Sequence, residues 1–201
     1  MKKIFLTACS LLLISVAFAQ FPKEKYETTD LTWFGIDYTQ CRMVGEEGFT
    51  DKKKIVEVYF NAWNDFVFTE KNKYDVAKYM MKDDVKFDLS LVKAKNTQVN
   101  PDSIVYDETA TLVNDQVSAL LIDYDFSKHK GLGAMLFAEY YSKRNLEASY
   151  FFVIFDIDSG ELLLTKRYII GPGGFGFRNY WASTFYNSLK NMKYDVKKWL
   201  K

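Results

Sequence analysis

The sequence predicts an α/β fold of α+β character, a mixed sheet of about five strands with a C-terminal β-hairpin and a long final helix packed on it. Three observations predict it. In Ser149–Asp156, Phe151, Val153 and Phe155 alternate with Phe152 and Ile154, so both faces of that strand are apolar, as in a central strand covered on both sides. Asp158-Ser159-Gly160 supplies a tight turn, and Glu161–Ile170 pairs back. Trp181, Phe185, Leu189, Met192, Val196 and Leu200 then recur at helical spacing.

The earlier elements follow from the same periodicities. Gln20–Thr29 is polar and reads as a frayed lead-in. Leu31–Met43 alternates, with Phe34, Ile36 and Tyr38 on one side and Asp37, Thr39 and Cys41 on the other, which predicts one long strand. Gly45–Gly48 turns the chain. Thr50 or Asp51 caps a helix that carries Ile55, Tyr59, Ala62, Trp63 and Phe66 on its apolar side. A shorter helical piece covers Tyr74–Met81, and Val85–Val92 reads as a second strand. Asn100-Pro101 is a helix-start signal. A helix over Asn114–Asp123 buries Val117, Leu120 and Leu121, and Ala134–Ser142 is a strand.

The first 19 residues predict export. Lys2 and Lys3 precede an apolar run from Ile4 to Val16, and Ala17-Phe18-Ala19 precedes Gln20. That is the basic region, short apolar region and small-residue cleavage site of a secretory signal. The run falls short of the roughly 20 residues a membrane-spanning helix needs. Residues 1–19 are therefore expected to be removed after Ala19, leaving 20–201 as a single globular α/β domain that is periplasmic or secreted. Leu6-Thr7-Ala8-Cys9 matches a lipobox, so lipidation at Cys9 is the alternative.

The chain has 27 Lys and Arg against 26 Asp and Glu, and losing Lys2 and Lys3 turns a formal charge of +1 into −1. That balance argues against nucleic acid as a partner, which requires a basic footprint. Cys41 would be the only cysteine left, so no intramolecular disulfide is expected. The core must stand on its aromatic side chains, 17% of the sequence.

The sharpest motif is Gly171-Pro172-Gly173-Gly174-Phe175-Gly176, which matches G-x-G-x-x-G between a strand and a helix. A dinucleotide site would need a further strand and an acid downstream, and the chain remains helical to Lys201. A helix opened by glycines also offers backbone N–H groups to a phosphate or carboxylate. On that basis Gly171, Gly173, Gly174, Gly176, Arg178 and Trp181 are the candidate ligand-binding residues. A tight strand-to-helix connection accounts for the same glycines.

No residue is assigned a catalytic or metal-binding role, and no cofactor is implied. Asp156-Ile157-Asp158-Ser159-Gly160 lacks the further ligands of a calcium loop. His129, the only histidine, sits in a polar loop and reads as exposed. Trp33, Tyr38, Tyr140 and Tyr141 would line a groove if their strands face a ligand; core packing accounts for them too.

Two stretches, Phe34-Gly35-Ile36-Asp37-Tyr38 and Gly173-Gly174-Phe175-Gly176-Phe177-Arg178-Asn179-Tyr180-Trp181-Ala182, resemble a family of uncharacterised exported proteins of Gram-negative bacteria. The element order also resembles the TolB N-terminal domain and auxiliary lipoproteins of envelope transport systems. The resemblance implies a mixed sheet with a long last helix, and it assigns no activity or functional residue.

Three functions remain in view. The first is a non-enzymatic interaction or assembly accessory of the cell envelope, acting on an envelope protein partner. The second is a small-ligand or glycan-binding module with an aromatic-lined groove. The third is a hydrolase built on two carboxylates.

Overall fold

The computed structural model describes residues 22–201, and the predicted signal peptide with Cys9 lies outside them. Among the described residues the sheet contains seven strands arranged in five rows. β5 (Leu132–Ser142) is the central row. On one side it pairs with β1 (Leu31–Asp37) along its first half and with β2 (Arg42–Val44) along its second, both parallel. β3 (Lys86–Phe87) and β4 (Val105–Tyr106) form the outer row, parallel to β1 and β2 respectively. On the other side β6 (Glu147–Asp156) and β7 (Leu162–Ile170) add the antiparallel hairpin. Gly160 sits at the turn with φ +72°, as the expected turn requires.

The two faces of the sheet are separately covered. Tyr150, Phe152 and Ile154 of β6 join the larger core under α3 (Phe60–Thr69), α4 (Val76–Met80) and α7 (Phe177–Trp199). Phe151, Val153 and Phe155 join the smaller core with Val117 and Leu121 of α6 (Asn114–Ile122). β6 is therefore the doubly covered strand its two apolar faces predict. Phe155 lies directly over Gly133: a Cβ there would fall 2.3 Å from the ring. The α7 stripe is buried from Trp181 through Val196.

Several elements differ from the sequence expectation. The lead-in is not frayed throughout: α1 (Lys23–Thr28) buries Tyr26, whose hydroxyl donates to the Met80 carbonyl at 2.6 Å. The predicted single strand over Leu31–Met43 is two strands, broken at 38–41, where the Cys41 N–H turns back to the Tyr38 carbonyl. The predicted strand over Val85–Val92 ends after two residues. Asp88 accepts from the Ser90 N–H and hydroxyl and so starts α5 (Ser90–Asn96). Asn100-Pro101 opens only a 3-10 turn, Pro101–Ser103.

The helix after Asp51 begins as α2 (Lys52–Lys54), capped by the Asp51 carboxylate, and passes through a π-helical turn at Ile55–Tyr59 into α3. The π turn rotates the apolar stripe, so Phe60 rather than Tyr59 is fully buried.

α5 fills the gap between β3 and β4 in the outer row, and two amides complete the edge of β1 that no strand pairs with there. Asn64 Oδ1 accepts from the Ile36 N–H at 2.7 Å, and Asn96 Oδ1 accepts from the Tyr38 N–H at 2.7 Å. Both amide nitrogens donate to the Ile36 carbonyl, at 3.0 and 2.9 Å. Burying those backbone groups unpaired would be costly, so these side chains stand in for a strand. Gly35, at φ +100°, makes the approach possible: a Cβ would lie 2.4 Å from Asn64 Oδ1. Among the described residues no helix is long and apolar enough to cross a membrane.

Candidate functional site

The Gly171–Gly176 loop leads into α7, and the Gly173 N–H and the Gly176 carbonyl are spent on that helix. The Gly173 N–H donates to Ser183 Oγ at 2.7 Å and approaches the Tyr180 carbonyl at 3.3 Å. Gly174 and Gly176 have φ +101° and +77°, conformations the turn into the helix requires. Gly171 packs beside the Leu146 carbonyl at the neighbouring hairpin. The Arg178 guanidinium lies 4.3 Å from the centre of the Phe66 ring and 3.8 Å from Glu70, on the α3 side. Trp181 is buried and stacks on Tyr141 at 5.0 Å. A shallow hollow of about 280 Å³ joins Gly176, Phe177, Tyr180 and Trp181 to Gly48 and Lys143. The structure thus brings Gly176 and Trp181 to one surface and turns Arg178 away from it. Phe175, at the loop tip, is 95% exposed.

The strand aromatics belong to the core. Trp33, Tyr38, Tyr140 and Tyr141 are all buried, which removes them from any groove. Tyr141 instead links a hydroxyl chain from Tyr38, just past β1, through β5 and β6 to α7. Its OH meets Tyr150 OH at 2.7 Å and donates to Tyr38 OH at 3.4 Å, and Tyr150 OH meets Thr184 Oγ1 at 2.7 Å. Burial pushes all three phenols above their usual range.

The buried carboxylates are also spent. Asp37 accepts from the Thr39 N–H and from Tyr124 OH, each at 2.6 Å. Glu139 accepts from the Leu112 N–H at 2.6 Å, from Ser149 Oγ and from the Arg167 guanidinium at 2.9 Å. Asp156 pairs with Lys25 at 2.6 Å and accepts from the Ser159 N–H at 2.8 Å, and the Lys25 ammonium holds its carboxyl down at about 2.

His129 is half-buried rather than exposed: its Nε2 lies 2.9 Å from Asp88 and its ring is edge-on to Phe34. It lines a cleft of about 380 Å³ with Tyr124, Phe126, Phe155 and Ile157. Among the described residues no three of His, Cys, Asp and Glu gather as metal ligands.

The most open polar chemistry lies elsewhere, in a cleft of about 420 Å³ at the break between β1 and β2. Thr39, Gln40, Cys41 and Arg42 form its floor. The end of α5, with Lys95 and Gln98, forms one wall, and Ser103 to Tyr106 with Leu120 and Asp123 of the α6 region form the others. It opens beyond the carboxyl end of β1, the place where ligands bind in open parallel sheets. The side chains of Gln40, Arg42 and Gln98 make no hydrogen bond to another described residue; Arg42 only stacks, its guanidinium 4.5 Å from the Tyr106 ring centre. Burial pushes the Cys41 thiol well above its usual range, which disfavours the thiolate. No sequence motif marked these residues, because four separate segments supply them.

No family model matches the chain, and no curated protein matches it.

Proposed function

We propose that the protein is an exported, non-enzymatic binding module that holds a small polar ligand in the cleft between β1, α5 and α6. One observation carries this reading: Gln40, Arg42 and Gln98 converge on that cleft with unspent hydrogen-bonding groups. A volume of about 420 Å³ is within the range of small-molecule sites. The buried carboxylates a hydrolase would draw on are engaged internally, which supports a binding role over catalysis. Export is supported by Lys2-Lys3, the apolar run and Ala17-Phe18-Ala19.

Ser103→Trp, on the exposed rim of the cleft, tests the site. A ligand-observed NMR screen of small polar compounds is expected to give hits with the native protein that vanish in S103W. A screen without hits, or hits indifferent to the tryptophan, refutes the reading. N-terminal sequencing of the protein recovered outside the cytoplasm is expected to begin at Gln20.

A second reading, contact with an envelope protein partner, is favoured by Phe175. A ring 95% exposed at a glycine-flanked tip would bury apolar area by insertion into another surface. In-cell crosslinking at position 175 to a discrete partner, lost in F175S, is the expected result.

A further inference from the structure

The geometry points to an oxyanion, a carboxylate or phosphate on a small polar molecule, as the group that Arg42 receives in the β1–β2 cleft; this rests on the cleft being the binding site. Arg42 is the first residue of β2, and its backbone is fixed by pairing with Tyr140 of β5. Its guanidinium lies against the Tyr106 ring of β4 at 4.5 Å. Contact with the ring fixes the position of the guanidinium without using its N–H donors. No carboxylate lies within 4.0 Å of it among the described residues, whereas Arg167 and Arg178 each have one.

Across the cleft, Lys95 supplies a second cation. Its ammonium lies 4.4 Å from the Tyr124 ring centre and 3.9 Å from the Asp123 carboxylate, a long ion pair. Asp123 is the one acid in the lining, so two cations face one anion and the cleft carries a formal excess of one positive charge. This is local, since the predicted mature chain is slightly acidic. Guanidinium offers donors and no acceptor, and its fork matches the two oxygens of a carboxylate or phosphate. Gln40 and Gln98 supply both donors and acceptors for the remainder of the molecule. The volume suits a small acid or monophosphate.

The test is isothermal titration of the full domain with citrate and, separately, with inorganic phosphate, alongside NMR of the arginine Nε–H signals. The variants are R42Q, R42K, S103W and R144Q, the last an exposed arginine outside the cleft. The expected result is saturable binding of at least one anion with a shifted Arg42 signal. R42Q should weaken binding about tenfold to a hundredfold, the range for a charge-assisted hydrogen bond, R42K should weaken it less, and R144Q should leave it unchanged. The tighter anion tells a phosphate site from a carboxylate site. Failure of both anions to bind, undiminished binding by R42Q, or equal loss in R144Q overturns the assignment. R42K keeps the charge should R42Q fail to fold, and binding by R42K equal to the native protein overturns the two-point contact. If neutral compounds bind, S103W abolishes them and R42Q does not, the cleft stands and the anion falls. If S103W affects no ligand that binds, both fall.

Discussion

Replacing Asn64 and Asn96 by alanine, singly and together, measures what holds the open edge of β1. Each amide accepts from one buried backbone N–H, that of Ile36 for Asn64 and that of Tyr38 for Asn96. Both also donate to a single acceptor, the Ile36 carbonyl. Either single substitution therefore leaves one N–H without its partner and leaves the carbonyl satisfied by the other amide. An orphaned buried donor costs about 1–3 kcal/mol, so each single variant should lose roughly that much. The double variant orphans both N–H groups and also the carbonyl. Its loss should exceed the sum of the singles by about 1 kcal/mol or more, a coupling well above the few tenths expected of independent sites. Urea unfolding of the four proteins, followed by near-UV and far-UV circular dichroism, gives the cycle directly. Additivity within about 0.5 kcal/mol would show that the shared carbonyl does not couple the amides, and the strand-substitute argument would fail.

Three further outcomes are expected. Gly35→Ala places a Cβ 2.4 Å from Asn64 Oδ1 at φ +100°, so it should destabilise by on the order of 2–5 kcal/mol in the same urea assay; an unchanged midpoint would contradict the close approach. The Asp156 carboxyl is held at about 2, chiefly by Lys25, so its contribution is present above the unfolded value near 3.9 and is lost as pH falls through about 2. Asp156→Asn should flatten stability against pH between about pH 4 and pH 2, and an unaltered slope would contradict the pairing. Cys41 is 5% exposed and its thiol is pushed up by burial, so it should react with iodoacetamide or an aromatic disulfide only on unfolding; rapid labelling of the native protein would show the cleft floor to be open.

The parts of the fold legible in the sequence are those where one pattern repeats long enough to dominate. β6 declares two covered faces, and the α7 stripe holds from Trp181 to Val196 because one helix meets one sheet face. The first strand was legible only in part. Asp37 and Thr39 continue the β alternation, yet Asp37 turns inward to Tyr124, a partner 87 residues away that no local pattern reveals. The Val85–Val92 segment carries enough β-formers for a strand, but Asp88 and Ser90 spell a helix start, a local signal that prevails over the alternation around it. Tyr26 was hidden because one buried ring anchors a helix whose other residues are polar. The glycine loop was visible as a motif, and its geometry shows how much of it the α7 entry consumes. The cleft was not visible, since its polar residues are ordinary one by one and become a site only when the β1–β2 break sets them beside the end of α5.

The amide-filled edge of β1 also bears on solubility. An uncovered strand edge is a template on which a second chain can grow a sheet. Here the positions an incoming strand would use are already occupied by Asn64 and Asn96, each mounted on a packed helix. Addition at that edge would require expelling α5 and loosening α3, a large structural loss for a few new hydrogen bonds. Substitutions that shorten either amide should accordingly raise the tendency to form fibrils at high concentration beyond what lost stability alone produces.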